Sequence, residues 1–295
     1  MVHSWFSNSV RKPMQKNPIR PRPQASRQVA VRLFPIAAIA LSFCMLAPAQ
    51  APTVAATNDL SAALPDAPAP HTSSPDDVTI RNTPRNLLRD QGAIWSGPAH
   101  IRTRDLKWLL PLAAAAGVAF ATDQHTMTQV ASHDNSFNQA SINTSNVLMG
   151  GWIVVPIAVY GFGHAHQDEH ARQAGILTGE SMVDAIIVDE ALKLVFLRER
   201  PNVDNARGHF FETGAATNSS FPSAHSIVAW SAASALAAEY PAPWTQFALY
   251  SAATGLSLTR VMGQEHFPSD VLVGGSLGWL IGHNVVKRHH HKSRK

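Results

Sequence analysis

Six apolar stretches, each rich in small residues, constrain this chain more than any other feature. They run at about 106–122, 145–163, 174–197, 223–239, 244–261 and 270–286. Apolar residues recur at helical rather than alternating spacing, and no stretch alternates strongly enough to read as a strand. Runs such as Ala113 to Ala116, Gly150-Gly151, Ala232-Ala233 and Gly274-Gly275 give these helices faces on which neighbours can approach closely. The expected fold is therefore all-α: a six-helix bundle, embedded in a membrane or closed around a soluble Ala-rich core. Most stretches fall short of the roughly 20 residues that cross a bilayer. The third also carries Glu180, Asp184, Asp189, Glu190 and Lys193, which must face the bundle interior or water. Glu180 and Asp184 read as buried polar groups with structural partners.

The chemistry sits at the ends of these stretches. Three clusters follow one another: Lys193 through Arg200-Pro201, then Pro222-Ser223-Ala224-His225, then Arg260 through His266 to Asp270. In the six-helix reading they fall at the end of helix three, the start of four, the end of five and the start of six. All four places are on one side of the bundle. Three fixed cations, a hydroxyl, two imidazoles and one carboxylate suit the holding of a tetrahedral oxyanion and its transfer through a histidine.

Read as K-x6-R-P, P-S-x-H and R-x5-H-x3-D, the clusters resemble the type 2 phosphatidic acid phosphatase superfamily, which shares its site with the vanadium haloperoxidases. Two positions depart from that pattern: Ala224 stands where Gly is usual, and Thr259 where Ser is usual. Neither removes a group the site needs. The resemblance implies a bundle of the phosphatidic acid phosphatase type 2 kind. It implies His266 as nucleophile, His225 as general acid and base, and Asp270 as the carboxylate that orients His266. It makes Lys193, Arg200, Ser223, Ala224 and Arg260 the phosphate-binding set. With cations in the place of a metal's carboxylate ligands, no metal and no cofactor are expected at the site. Pro222 is expected in the first turn of helix four, whose free N–H groups would face the anion. Arg198 lies off the pattern and reads as a rim residue.

The implied activity is metal-independent hydrolysis of a lipid phosphate or diphosphate. The implied partners are a phospholipid or polyprenyl phosphate substrate and a membrane. An exported soluble acid phosphatase acting on small phosphomonoesters is the alternative. A vanadate-dependent haloperoxidase is a further one, disfavoured by the short chain and by the six-residue gap between Lys193 and Arg200. Nothing in the sequence sets the oligomeric state.

The remaining segments bear on location. Residues 1–49 combine a basic n-region with an apolar run at 33–47 and the small-x-small pattern Ala47-Pro48-Ala49, which describes a secretory signal or an anchor. Residues 50–83 read as an Ala/Pro-rich disordered linker. Residues 84–105 read as an amphipathic helical segment, 106–286 as the phosphatase domain and 287–295 as a basic tail. The formal net charge is +4. Its excess lies mostly at the two ends, which excludes a basic face for nucleic acid. The positive-inside tendency places the clusters away from the cytoplasm. The expected location is the cytoplasmic membrane with a periplasmic-facing site, or export to the periplasm. Cys44, the only cysteine, allows no intrachain disulfide, and Phe43 before it does not suit a lipoprotein signal. His164, His166 and His170 read as a solvated turn rather than a metal site. His209 reads as a loop residue, and His289 to His291 as surface or headgroup contacts.

Overall fold

The computed structural model describes residues 78–292; the apolar run at 33–47 and nearly all of the linker lie outside the described residues. Among the described residues every regular element is helical. A short lead helix, α1 (Thr83–Ser96), precedes six long ones: α2 (Leu106–His125), α3 (Asn135–His166), α4 (Glu169–Phe196), α5 (Ala224–Glu239), α6 (Pro243–Met262) and α7 (Pro268–Lys292). These six are the apolar stretches of the sequence, lengthened at most of their ends by polar caps. Asp134 accepts from the backbone N–H groups of Ser136 and Phe137 and starts α3, while Asp168 accepts from that of Ala171 and starts α4. Both caps lie outside the apolar pattern, so hydrophobicity alone placed those starts late.

Helix α5 is the centre. Ile227, Val228, Ala229, Ala232, Ala233 and Ala235 are buried on all sides of it, as expected of a helix without a polar face. It packs most tightly on α7. A Cβ at Gly278 would strike the Ile227 carbonyl, and one at Gly282 the Ser231 carbonyl. Glycine there lets the two backbones touch. Leu177, Leu256, Ile281 and Val285 complete the core from α4, α6 and α7.

The outer surface is apolar as well. Leu110 and Val118 on α2, Val147, Val154 and Ile157 on α3, Leu194 and Val195 on α4, and Trp244 and Phe247 on α6 are all exposed. Two segments, Thr103–Val130 and Asn135–His166, are long and apolar enough to cross a membrane.

Candidate active site

The three clusters meet at one end of the bundle because four helix ends meet there. Helix α4 stops at Leu197, whose left-handed backbone (φ 43°) turns the chain just after Lys193. The loop that follows carries Arg198 and Arg200. It returns through Ser220 to Ser223, the extended residue before α5. Pro222 thus precedes the cap and is not in the first turn, which corrects the sequence expectation. Arg260 lies in the last turn of α6, His266 in the tight turn after it, and Asp270 in the first turn of α7.

Each cation is aimed by a carboxylate or a hydroxyl. Lys193 Nζ sits 2.8 Å from Asp189 Oδ2. Arg200 donates through Nη1 to Glu265 Oε2 at 2.5 Å and through Nε to Asn218 Oδ1 at 2.8 Å. Arg260 donates through Nη1 to Ser145 Oγ at 2.9 Å and through Nη2 to the same Glu265 oxygen at 3.3 Å. Glu265 therefore spans the two guanidiniums whose forks could take a phosphate. Arg260 Nε has no hydrogen-bond partner, which leaves a donor for a ligand. Ser223 is fully buried at the N-terminus of α5, and its Oγ accepts from Ser226 at 3.3 Å, so its own proton remains to be donated. Ala224 is the first residue of that helix, where backbone N–H groups face outward to an anion.

Both imidazoles are held neutral. Burial, then Arg260, His266, Lys193 and Arg200 push His225 down to about 3. Burial, then Arg200 and Arg260, push His266 well below its ordinary value against the opposing Ser220 carbonyl. That carbonyl lies 2.7 Å from His266 Nδ1. A carbonyl can only accept, so Nδ1 carries the proton and Nε2 keeps its lone pair. This is the tautomer a nucleophilic imidazole requires.

The expected contact between His266 and Asp270 takes a different form. Asp270 Oδ2 is 3.7 Å from Nδ1, beyond hydrogen-bond range. It accepts instead from the Phe267 backbone N–H at 2.9 Å. Asp270 fixes the turn that carries His266, and the Ser220 carbonyl fixes the ring. Burial raises Asp270 to about 6, against the lowering influence of Arg198.

Arg198 is the main residue the sequence reading misplaced. It is 3% exposed rather than at the rim. It donates to Asp270 Oδ1 at 2.6 Å, Ser269 Oγ at 2.7 Å, Asp123 Oδ2 at 2.8 Å and the Gly208 carbonyl at 3.2 Å. Its guanidinium also lies 4.1 Å from the Phe267 ring centroid. Gly208 has φ 61°, and a Cβ there would come 2.7 Å from the same ring. Asp123, at the end of α2, accepts from the Ser269 N–H at 3.1 Å and from its hydroxyl. A carboxylate closing an otherwise apolar helix was the available signal for Asp123. For Arg198 it was a third basic residue within one short cluster. His209, 3.4 Å from Asp204, lies in the loop as expected.

Part of this chain is similar to known proteins. Residues 174–294, which contain all three clusters, match the model of the PAP2 superfamily. The chain is 26% identical over 180 residues to a lipid A 1-phosphatase of Porphyromonas gingivalis, an alignment covering 60% of this chain and 37% of that relative. The chain thus spans little more than a third of the curated relative it matches. Among solved structures, it resembles a transmembrane PAP2-type phosphatidylglycerolphosphate phosphatase from Bacillus subtilis at 18% identity and TM-score 0.44, over 72% of this chain and 97% of that one. The matched region begins within α4, so α2 with Asp123 and α3 with Ser145 reach the site from outside it.

Proposed function

We propose that this protein is a metal-independent lipid phosphatase that works through a phosphohistidine. The observation that carries the reading is a pair of neutral imidazoles set among Lys193, Arg200 and Arg260. The three cations take the non-bridging oxygens of a phosphoryl group and spread its charge. His266 Nε2 attacks phosphorus, forming the P–N bond as the P–O bond to the leaving group breaks. His225, neutral in the free protein, takes up a proton when the phosphate arrives among the cations and gives it to that oxygen. It then takes one from water, which attacks phosphorus, breaks the P–N bond and releases phosphate.

A groove of about 480 Å³ favours a lipid over a small phosphomonoester. Trp108, Trp230, Leu258, Leu272, Trp279 and Leu280 line it with neighbouring residues. Its walls come from α2, α5, α6 and α7. The exposed apolar faces of α2 and α3 support contact with lipid. Basic residues before α2 and at the end of α7 support a cytoplasmic-membrane protein whose site faces the periplasm.

The relative's substrate makes a lipid A phosphate the first to test, beside phosphatidic acid, phosphatidylglycerol phosphate and a polyprenyl diphosphate. Phosphate release from detergent micelles of each, by the full-length protein, tests the reading. Turnover of at least one of the four is expected, unchanged by excess EDTA, inhibited by vanadate, and passing through a labelled phosphohistidine at His266. Activity that EDTA abolishes and a divalent ion restores would refute it.

A further inference from the structure

The end of the bundle away from the clusters buries a second set of donors. Asp90 on α1, Glu180 on α4 and His289 on α7 converge there, at 3%, 2% and 8% exposure. Their ligand atoms all lie within 4.8 Å of one another. His289 was expected at the surface; it is buried because α7 continues past residue 286 and α1 covers it. Residues 270 and 289 share that helix, so at about 1.5 Å per residue the set lies roughly 28 Å from Asp270.

The atoms divide their work. Asp90 Oδ1 is held by Arg288 Nε at 3.1 Å, and Glu180 Oε1 accepts from Asn86 at 3.3 Å. The second oxygen of each carboxylate turns to His289 Nε2, at 3.3 Å from Asp90 Oδ2 and 3.8 Å from Glu180 Oε2. Glu180 Oε2 has no hydrogen-bond partner, nor has Asp184 Oδ2 one turn along α4. A tetrahedral zinc ion bound at about 2.0–2.1 Å sets its ligands roughly 3.3–3.4 Å apart. Both orphan oxygens are buried, and a buried polar atom without a partner is costly.

We propose that Asp90, Glu180 and His289 bind one divalent cation of the zinc class, and that this ion clips α1 to α4 and α7. One imidazole with two carboxylates is a donor set for such a metal. The fully buried side chains of α1 are Asn86 and Asp90. Ile94 adds an apolar contact with the core, but the most buried groups of that helix are polar, and a shared cation would tie them to α4 and α7. The site lies apart from the phosphoryl chemistry and does not depend on it.

The test uses full-length protein purified without a polyhistidine tag, stripped with chelator, equilibrated with zinc and desalted. Bound metal is then counted by mass spectrometry and thermal stability measured with and without zinc. Wild type should hold about one equivalent and melt higher with it, as metal that binds only the folded chain requires. Glu180→Gln and His289→Gln should lose both effects. His291→Ala, which only shortens the histidine run, should keep both. Substoichiometric zinc on wild type, equal zinc on the Glu180 and His289 variants, or loss of zinc with His291→Ala would each overturn the proposal. If a variant fails to fold, the wild-type stoichiometry and the zinc-dependent melting shift decide alone.

Discussion

At the loop end of the bundle, imidazoles stand among cations; at the opposite end, they stand among carboxylates. His225 and His266 face Lys193, Arg200 and Arg260, and are held neutral. At the other end His170 and His290 lie 3.0 and 2.7 Å from the two oxygens of Glu239, and His289 lies 3.3 Å from Asp90. The same side chain is made a free base in one place and a partner of anions in the other. Surroundings, not residue type, divide the molecule into the end proposed for phosphoryl chemistry and an end that ties helices together.

The largest effect should come from His266, the proposed nucleophile. His266→Ala leaves no atom to form the P–N bond, and phosphate release from lipid micelles should fall by about 10⁴-fold or more. Glu180→Gln, at the other end, should leave turnover near wild type. Comparable losses in both would erase the functional division between the ends.

Arg198 tests how each end neutralises charge. Arg198→Met strands Asp123 and Asp270 in a dry interior, a loss of about 3–5 kcal/mol for a broken buried pair. Arg288→Met at the far end should cost less, because its side chain is 37% exposed and water can replace it. Thermal melts of the two variants in one detergent compare them directly. An Arg198→Met protein as stable as wild type would show that the buried network carries little of the fold.

These two arginines also mark how far the sequence could be read. The six helices were legible because apolar spacing reports which residues must leave water. The clusters were legible because each joins unusual chemistry at a fixed spacing. Arg198 was not, since a basic residue off a pattern looks the same whether water or two carboxylates receive it. Asp123 and Asp270 approach it from α2 and α7, contacts that only the packed bundle creates. The polar caps of α3 and α4 escaped for a related reason: they are short-range hydrogen bonds that leave no trace in hydrophobicity. His289 was assigned to the surface from its basic neighbours, whereas the docking of α1 buries it.

Asp270 should show a smaller and more selective effect. Asp270→Asn removes the charge that accompanies positive charge developing on His266, so kcat should fall by about 10²-fold with little change in KM. A near-normal kcat would mean that the Ser220 carbonyl alone suffices. In wild type, kcat should decline as pH falls through about 6, where Asp270 takes up a proton. Stability should not decline with it. A carboxyl raised in the folded state binds its proton more tightly there than in the unfolded chain, so its contribution to stability grows as pH drops below about 6. Lost activity with an intact melt therefore separates Asp270 from acid unfolding.

The smallest effect is a single proton. In the free protein His225 is held down to about 3, first by burial and then by Arg260, His266, Lys193 and Arg200. A neutral imidazole cannot protonate a leaving oxygen. An oxyanion arriving among those cations offsets their field and raises His225, so it becomes an acid only once the site is filled. Vanadate binding near pH 6 should draw up to about one more proton into wild type than into His225→Ala, because the bound state now holds what the free state rejects. Calorimetry in buffers of different ionisation enthalpy counts that proton, and the variant subtracts the titration of vanadate itself. The far end should contribute nothing, so Glu180→Gln should take up the same proton as wild type. Equal uptake by wild type and His225→Ala would mean that His225 stays neutral in the complex and that another group protonates the leaving oxygen.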